Sequence, residues 1–179
     1  FHVSGGTTEA LLVRPNAAQL FEKELLAQSL DLKAGQAIDR VGGMLGLPFP
    51  AGAELDRLAQ RSKQRFSVRP SMKGADCCLS GIQNQCEKML RAGECCEDIA
   101  RFCIESVLAA IDAMARELLR QHGTYPFLFA GGVMSNRVIR DAISQKYDAS
   151  FAEPAFSCDN AAGIAVLAAA QEKNLPGEK

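Results

Sequence analysis

The chain has 179 residues, enough for one domain or one large lobe with a proper core. Its formal net charge is −1, so no global field argues for nucleic acid or membrane. No apolar run approaches the roughly 18–20 residues that a membrane span needs, and seven cysteines fall at 77, 78, 86, 95, 96, 103 and 158 without CxxC pairs or an even disulfide ladder.

The cysteines read as reduced thiols used as small core hydrophobes, and the two histidines, His2 and His122, are too remote in sequence to complete a zinc site with them. No signal peptide is expected from the opening residues. Phe1-His2-Val3 reads as a strand already in progress, as if the chain began inside a larger fold.

Residues 2–15, HVSGGTTEALLVRP, combine an apolar strand end, a Gly-Gly turn and the apolar residues Ala10, Leu11, Leu12 and Val13. That pattern predicts a β-hairpin whose tip carries Ser4, Gly5, Gly6, Thr7 and Thr8. Backbone N–H groups and hydroxyls gathered at such a tip can cradle phosphate, although an ordinary hairpin turn has the same signature. FEKELLAQS then fits either a third strand or a short helix.

Asp31 stands where an N-cap is expected for LKAGQAIDRVGGMLG, in which Ala37, Ile38, Val41, Met44 and Leu45 recur at helical spacing. Asp39 lies among those apolar positions, as a surface charge or as a carboxylate facing a ligand. Pro48 and Pro50 break the chain, and a helix restarts after Gly52 with Asp56 in its first turns. Arg61, Lys63, Arg65, Arg69 and Lys73 follow without an intervening acid. Such a run contacts a phosphate backbone in some proteins and is a solvated loop in most; Phe66 and Val68 predict that this one is partly anchored.

A helix is expected in DCCLSGIQNQCEKMLRA, with Ile82, Cys86, Met89 and Leu90 on one face. The longest periodic segment is EDIARFCIESVLAAIDAMARELLRQHG, a scaffold helix with a stripe from Ile99 to Leu118 and Gly123 as C-cap. His122 beside that glycine reads as a partner of the helix dipole. YPFLF then reads as a buried strand running into AGGVMSNRVIR, Ala130 to Arg140. Strand, Gly-Gly turn and helix is one way an α/β protein brings its backbone close to a ligand, and it is also a plain connector. A short strand, a Pro-containing loop and a last helix near Asp159 or Asn160 complete the chain. The small residues of that helix suit close packing on a neighbour, and Asp159 is an N-cap or a carboxylate at the mouth of the cleft.

SGGTTE, DLKAGQAIDRVGGMLGLPFPAGAELDRLA, RFSVRPSMKGADCCLSGIQNQ, AGGVMSNRVIR and FAEPAFSCDNAAGIA follow in the order of the motifs of one family. The chain resembles the TsaD/Gcp family of tRNA threonylcarbamoyladenosine transferases, once labelled O-sialoglycoprotein endopeptidases (peptidase family M22). The resemblance implies an α/β fold of the ASKHA (actin and sugar-kinase-like) type, two ribonuclease-H-like lobes around a nucleotide cleft. This chain matches the second lobe with its helical insertion. The boundaries it suggests are residues 1–33 for the start of the lobe, 34–96 for the insertion and 97–174 for the remainder. Residues 175–179 would be a frayed tail, and the N-terminal lobe would lie outside this sequence.

By that resemblance Ser4, Gly5 and Gly6 would hold the phosphate of an adenylate. Asp39, Gly52 and Asp56 would line the ribose side, and Asn136 would hold the nucleotide near Gly131 and Gly132. Asp159 would be one ligand of an iron or zinc ion whose other ligands lie upstream, and the ion would polarise threonylcarbamoyl-adenylate for attack by a tRNA adenosine. The ligand is threonylcarbamoyl-adenylate, ATP or AMP. The implied partners are tRNA and TsaB-like and TsaE-like proteins, in the cytoplasm and without a membrane, with self-association left open.

The chain departs from the family pattern at Thr7, where a histidine is usual, and at Gln36, where an acid is common. It departs again at Pro50-Ala51-Gly52-Ala53, in place of Pro-Gly-Gly-Pro, and at DCCLSG. Taken alone the chain would be catalytically incomplete. The rival readings are a non-catalytic ASKHA module that binds nucleotide or scaffolds a partner, a metallopeptidase, for which no HExxH motif is present, and a sugar kinase.

Overall fold

The computed structural model describes residues 1–17, 19–157 and 161–174. β1 (His2–Val3) and β2 (Thr8–Asn16) form the expected hairpin, with His2 opposite Glu9 and Val3 opposite Thr8. FEKELLAQS resolves as a strand: β3 (Leu20–Gln28) pairs antiparallel with β2, with a bulge between Ala10 and Leu11.

A long excursion follows, made of α1 (Ala34–Met44), α2 (Gly52–Arg61), the hairpin β4 (Ser71–Lys73) and β5 (Asp76–Cys78), and α3 (Ser80–Arg91). The 27-residue α4 (Cys96–His122) leads to β6 (Phe127–Phe129), a short 3-10 helix (Gly132–Ser135), α5 (Arg137–Ser144), β7 (Ala149–Phe151) and α6 (Ala161–Asn174).

β6 and β7 run parallel, and a parallel bridge from His2 to Ala130 joins them to the hairpin. Val3 N–H donates to Ala130 O at 2.9 Å and Ala130 N–H to Phe1 O at 2.9 Å. The strand order is therefore β3-β2-β1-β6-β7, with β1 in the middle. The sheet matters because the carboxyl ends of β1 and β6 both open onto one rim, where ligands of α/β sheets bind.

The core is continuous from the sheet to the helices. Val3, Ala10 and Phe129 share it with Ile111, Met114 and Leu118 of α4, as the helical periodicity predicted. α4 begins with Glu97 and Asp98 and ends with Arg120 and His122, the charge order that favours its dipole. Gly123 closes it with φ +85° and its N–H on Leu119 O. Cys77, Cys86 and Cys103 are buried thiols, and burial pushes Cys77 up to about 11, so it stays protonated. Cys95 and Cys96 are exposed, so the core-hydrophobe expectation fails for that pair. α6 leans on β3 but leaves Ile164 and Val166 open, at 69% and 67% exposure.

The capping expectation for Asp31 is corrected. α1 starts at Ala34, and Lys33 and Gln36 occupy its capping positions, with Lys33 N–H donating to Gln36 Oε1 at 3.3 Å. Asp31 reaches across 48 residues instead. Its carboxylate accepts from Leu79 N–H at 2.7 Å, from Ser80 N–H at 3.2 Å and from the Ser80 hydroxyl at 2.5 Å, and it thereby caps the start of α3. Leu32 N–H adds a 2.5 Å bond.

Desolvation raises the Asp31 pKa, but the hydrogen bonds from Ser80, Leu79 and Leu32 outweigh it and the carboxyl sits below its ordinary value. A depressed folded pKa means stability that is present above the unfolded value and lost as pH falls through the folded one. Asp31→Asn is therefore expected to melt below the parent at pH 7. The gap should close as pH drops below about 4, the ordinary carboxyl value. A gap that persisted unchanged to pH 2 would contradict this account.

Candidate functional site

Hydrogen bonds and close backbone approaches link most of the singled-out residues into a closed circuit. At the hairpin tip, Ser4 Oγ accepts from Gly6 N–H at 3.3 Å and Thr7 N–H at 3.1 Å. The Ser4 hydroxyl proton has no acceptor among the described residues, so it is left to donate. Gly5 and Gly6 are exposed, with open space where a Cβ would stand.

Behind the tip stands the start of α1. Gly35 N–H donates to Ser4 O at 3.0 Å, and a Cβ on Gly35 would fall 2.6 Å from Gly5 N. Thr8 was not singled out as a structural residue, yet it is 2% exposed and its Oγ1 accepts from Ala34 N–H at 2.8 Å. The first N–H groups of α1 are thus occupied by the hairpin. The helix end therefore has no free N–H at Ala34 or Gly35 to offer this rim.

One turn along α1, Asp39 Oδ1 accepts from Ala51 N–H at 2.8 Å and holds the loop that precedes Gly52. Its other oxygen has no partner among the described residues. A Cβ on Gly42 would collide with the Ala51 methyl, so the alanine that replaces a family glycine here presses against α1. Gly52 opens α2 onto free space.

On α2, Asp56 Oδ1 accepts from Asn136 Nδ2 at 2.8 Å and Oδ2 accepts from Gln60 Nε2 at 2.9 Å. Asn136 is 8% exposed and caps α5, with Oδ1 accepting from Ile139 N–H at 3.1 Å. Two of its side-chain valences are therefore structural, and one N–H remains to address a ligand.

The Gly-Gly turn divides its labour. Gly131 has φ +99°, and a Cβ there would lie 2.7 Å from the Val3 carbonyl carbon and closer still to its oxygen. That glycine serves the approach of β6 to β1. Gly132 is exposed with nothing near its Cβ position, so it is the member that faces outward. Through Gly131 and Val3 the circuit returns to the hairpin.

Asp159 lies outside the described residues. Among those described, no three His, Cys, Asp or Glu side chains gather as a metal site, and His2 and His122 are both exposed and line one shallow cavity without a third ligand. The basic run, by contrast, is anchored as expected. Phe66 meets the Phe102 ring edge-on at 5.5 Å, and Phe66 N–H donates to Glu105 Oε2 at 2.5 Å. The buried pair Arg101–Glu105, at 2.6 Å, was not legible beforehand, because Arg101 and Glu105 sit inside an apolar stripe. Among the described residues, no helix is long and apolar enough to cross a membrane.

The family profile described as tRNA N6-adenosine threonylcarbamoyltransferase, TsaD, matches residues 1–166. A tRNA N6-adenosine threonylcarbamoyltransferase of Mycoplasma pneumoniae is 32% identical over 155 residues, covering 80% of this chain and 47% of the relative. One of Chromobacterium violaceum is 30% identical over 189 residues, covering 96% and 54%. A probable bifunctional tRNA threonylcarbamoyladenosine biosynthesis protein of Thermoplasma acidophilum is 32% identical over 143 residues, covering 80% and 26%. The chain thus spans from about a quarter to about half of the length of these curated relatives. With a mixed α/β sheet and a family match over nearly its whole length, the chain belongs to the tRNA N6-adenosine threonylcarbamoyltransferase (TsaD) family.

Proposed function

We propose that the chain supplies the nucleotide-holding half of a tRNA N6-adenosine threonylcarbamoyltransferase. The observation that carries this reading is the closed circuit from the Ser4–Gly6 tip through α1, Asp39, Asp56 and Asn136 to Gly131 and Val3. It leaves a coherent set of groups facing one rim: the Ser4 hydroxyl, the Gly5 N–H, one oxygen of Asp39, one N–H of Asn136 and the bare Gly132. The tip addresses phosphate, and Asp39 accepts from ribose hydroxyls. Gly52 leaves room beside them, and Asp56 acts on the ligand through Asn136.

The transfer forms a bond from the adenosine N6 to the carbamoyl carbon and breaks the bond from that carbon to the adenylate phosphate oxygen. AMP leaves, and the amine gives up one proton. This chain's share is to hold the adenylate so that the carbamoyl carbon is presented to the amine. The described residues do not by themselves make an iron or zinc site, and Asp159 remains a single proposed ligand.

The same proposal reads the chain as a ribonuclease-H-like lobe of an ASKHA-type fold, with residues 34–96 as its helical insertion between the lobe segments 1–33 and 97–174. It takes tRNA as substrate and TsaB-like and TsaE-like proteins as partners. Because tRNA and adenylates are cytoplasmic reagents, it places the protein in the cytoplasm.

Calorimetric titration of AMP and ATP into the full chain, with Gly132→Ala and Asp39→Asn alongside, tests the site. Gly132→Ala adds a methyl to the open side of the turn, and Asp39→Asn can keep an acceptor for Ala51 N–H while losing a carboxylate oxygen. Each is expected to weaken binding by about tenfold or more, the loss of a charged or well-placed hydrogen bond, with little change in melting temperature. Binding equal to the parent in both variants would remove the nucleotide from this rim. Absence of binding by the parent would favour the non-catalytic scaffold reading.

A further inference from the structure

From the end of α2 to the end of β4 the chain runs across one flank of α4, and every even-numbered residue but the exposed Gln64 is at least half-buried. Ser62, Phe66, Val68, Pro70 and Met72 face inward or are half-buried. Arg61, Lys63, Arg65, Arg69 and Lys73 are all odd-numbered and all exposed, with the exposed Ser67 and Ser71 filling the remaining odd positions. An extended chain places alternate residues on one face, about 6.6 Å apart. The strap therefore presents a single row of donors over a contour of roughly 40 Å.

Its inward side is fixed in place. The Ser62 hydroxyl donates to Asp98 Oδ1 at 2.5 Å, and Phe66 is held by Glu105 and Phe102. Those bonds also occupy the two α4 carboxylates that meet the strap. No acid occurs between Asp56 and Asp76, and every ion pair among the described residues involves a cation outside the row. The row is thus five unneutralised cations on a chain whose net charge is only −1.

We propose that this strap is a track for the sugar–phosphate backbone of RNA, with successive odd-numbered residues meeting successive phosphates. This rests on the tRNA reading above and adds a surface for the substrate that continues from α2, the helix that carries Asp56. A linear, regularly spaced row matches a linear polyanion, whose charges repeat at a fixed interval, better than it matches an acidic protein patch. Serine hydroxyls between the cations suit phosphate oxygens, which accept from both. The contacts position the RNA and carry no base sequence.

The test is the salt dependence of bulk tRNA binding by the full chain, read by fluorescence anisotropy, for the parent and two variants. Lys63→Gln/Arg65→Gln/Arg69→Gln removes three outward cations and leaves every inward anchor intact. It is expected to flatten the slope of log affinity against log salt by about 2–3, at roughly 0.7–0.9 per contact. Ser67→Lys fills a gap in the row and is expected to steepen the slope by roughly 0.7–0.9. AMP binding should be unchanged in both. Slopes equal to the parent in both variants would overturn the track, leaving an acidic protein as the partner the row fits. If the slopes shift as stated while AMP fails to bind the parent, the track stands and the nucleotide reading falls.

Discussion

Glu105→Ala is expected to destabilise the chain by about 3–5 kcal/mol, the cost of stranding a buried charge. Arg101 and Glu105 are 9% and 10% exposed, one helical turn apart on α4, and joined at 2.6 Å. Glu105 also takes the Phe66 N–H. Truncating it leaves a guanidinium and a backbone donor without partners in a place water scarcely reaches. Melting should fall by roughly 6–20 °C, at about 2–4 °C per kcal/mol for a chain of this size. Replacing both members, as Arg101→Met/Glu105→Leu, should recover the part of the loss due to the stranded guanidinium and leave about 1–3 kcal/mol for the unpaired Phe66 N–H. A single variant that melted within 2 °C of the parent would show that the pair is solvated.

Gly131→Ala carries the second large effect. At φ +99° and ψ 154° the backbone lies in a region that glycine alone occupies readily, and an L side chain there costs about 1–3 kcal/mol. The methyl would also have to displace the Val3 carbonyl at the junction between β1 and β6. A loss of about 3 kcal/mol or more is expected by denaturant titration, adding the conformational cost to that of a displaced backbone. Gly132→Ala is the control: the next residue has free space at its Cβ position and should lose less than about 1 kcal/mol. Equal losses at the two positions would refute the division of labour between them.

These two glycines show where reading the chain alone stops. Strand, turn and helix around Ala130–Arg140 were legible from apolar runs and glycine spacing, and family motifs identified the pair as ligand-side. That Gly131 serves strand packing depends on Val3, 128 positions earlier, and no local pattern records it. Asp31 fails for the same reason. An aspartate just before an apolar-periodic run is a good cap by local rules, yet its acceptors are used by Leu79 and Ser80. Asn136 and Asp56 were each named, but the 2.8 Å bond between them, which makes one the support of the other, was not. The strap shows the intermediate case. Its cations and the anchoring of Phe66 and Val68 were visible in the sequence; the parity of the row became clear only once burial showed which side faces α4. Periodic burial is written locally, and pairings between distant segments are not.

The central position of β1 bears on how the protein matures. Its two neighbours in the sheet are β2, which follows within a few residues, and β6, which arrives after more than a hundred. While a ribosome is still making α4, the hairpin has one open edge, with Val3 N–H waiting for the Ala130 carbonyl. Such an edge is a template for unwanted pairing, and a closure of such long sequence separation is slow. Nascent chains stalled before residue 127 should therefore expose β1 to chaperones and proteases. Release of that surface should coincide with emergence of the β6 segment, the same event that brings Asn136 to Asp56 and completes the rim.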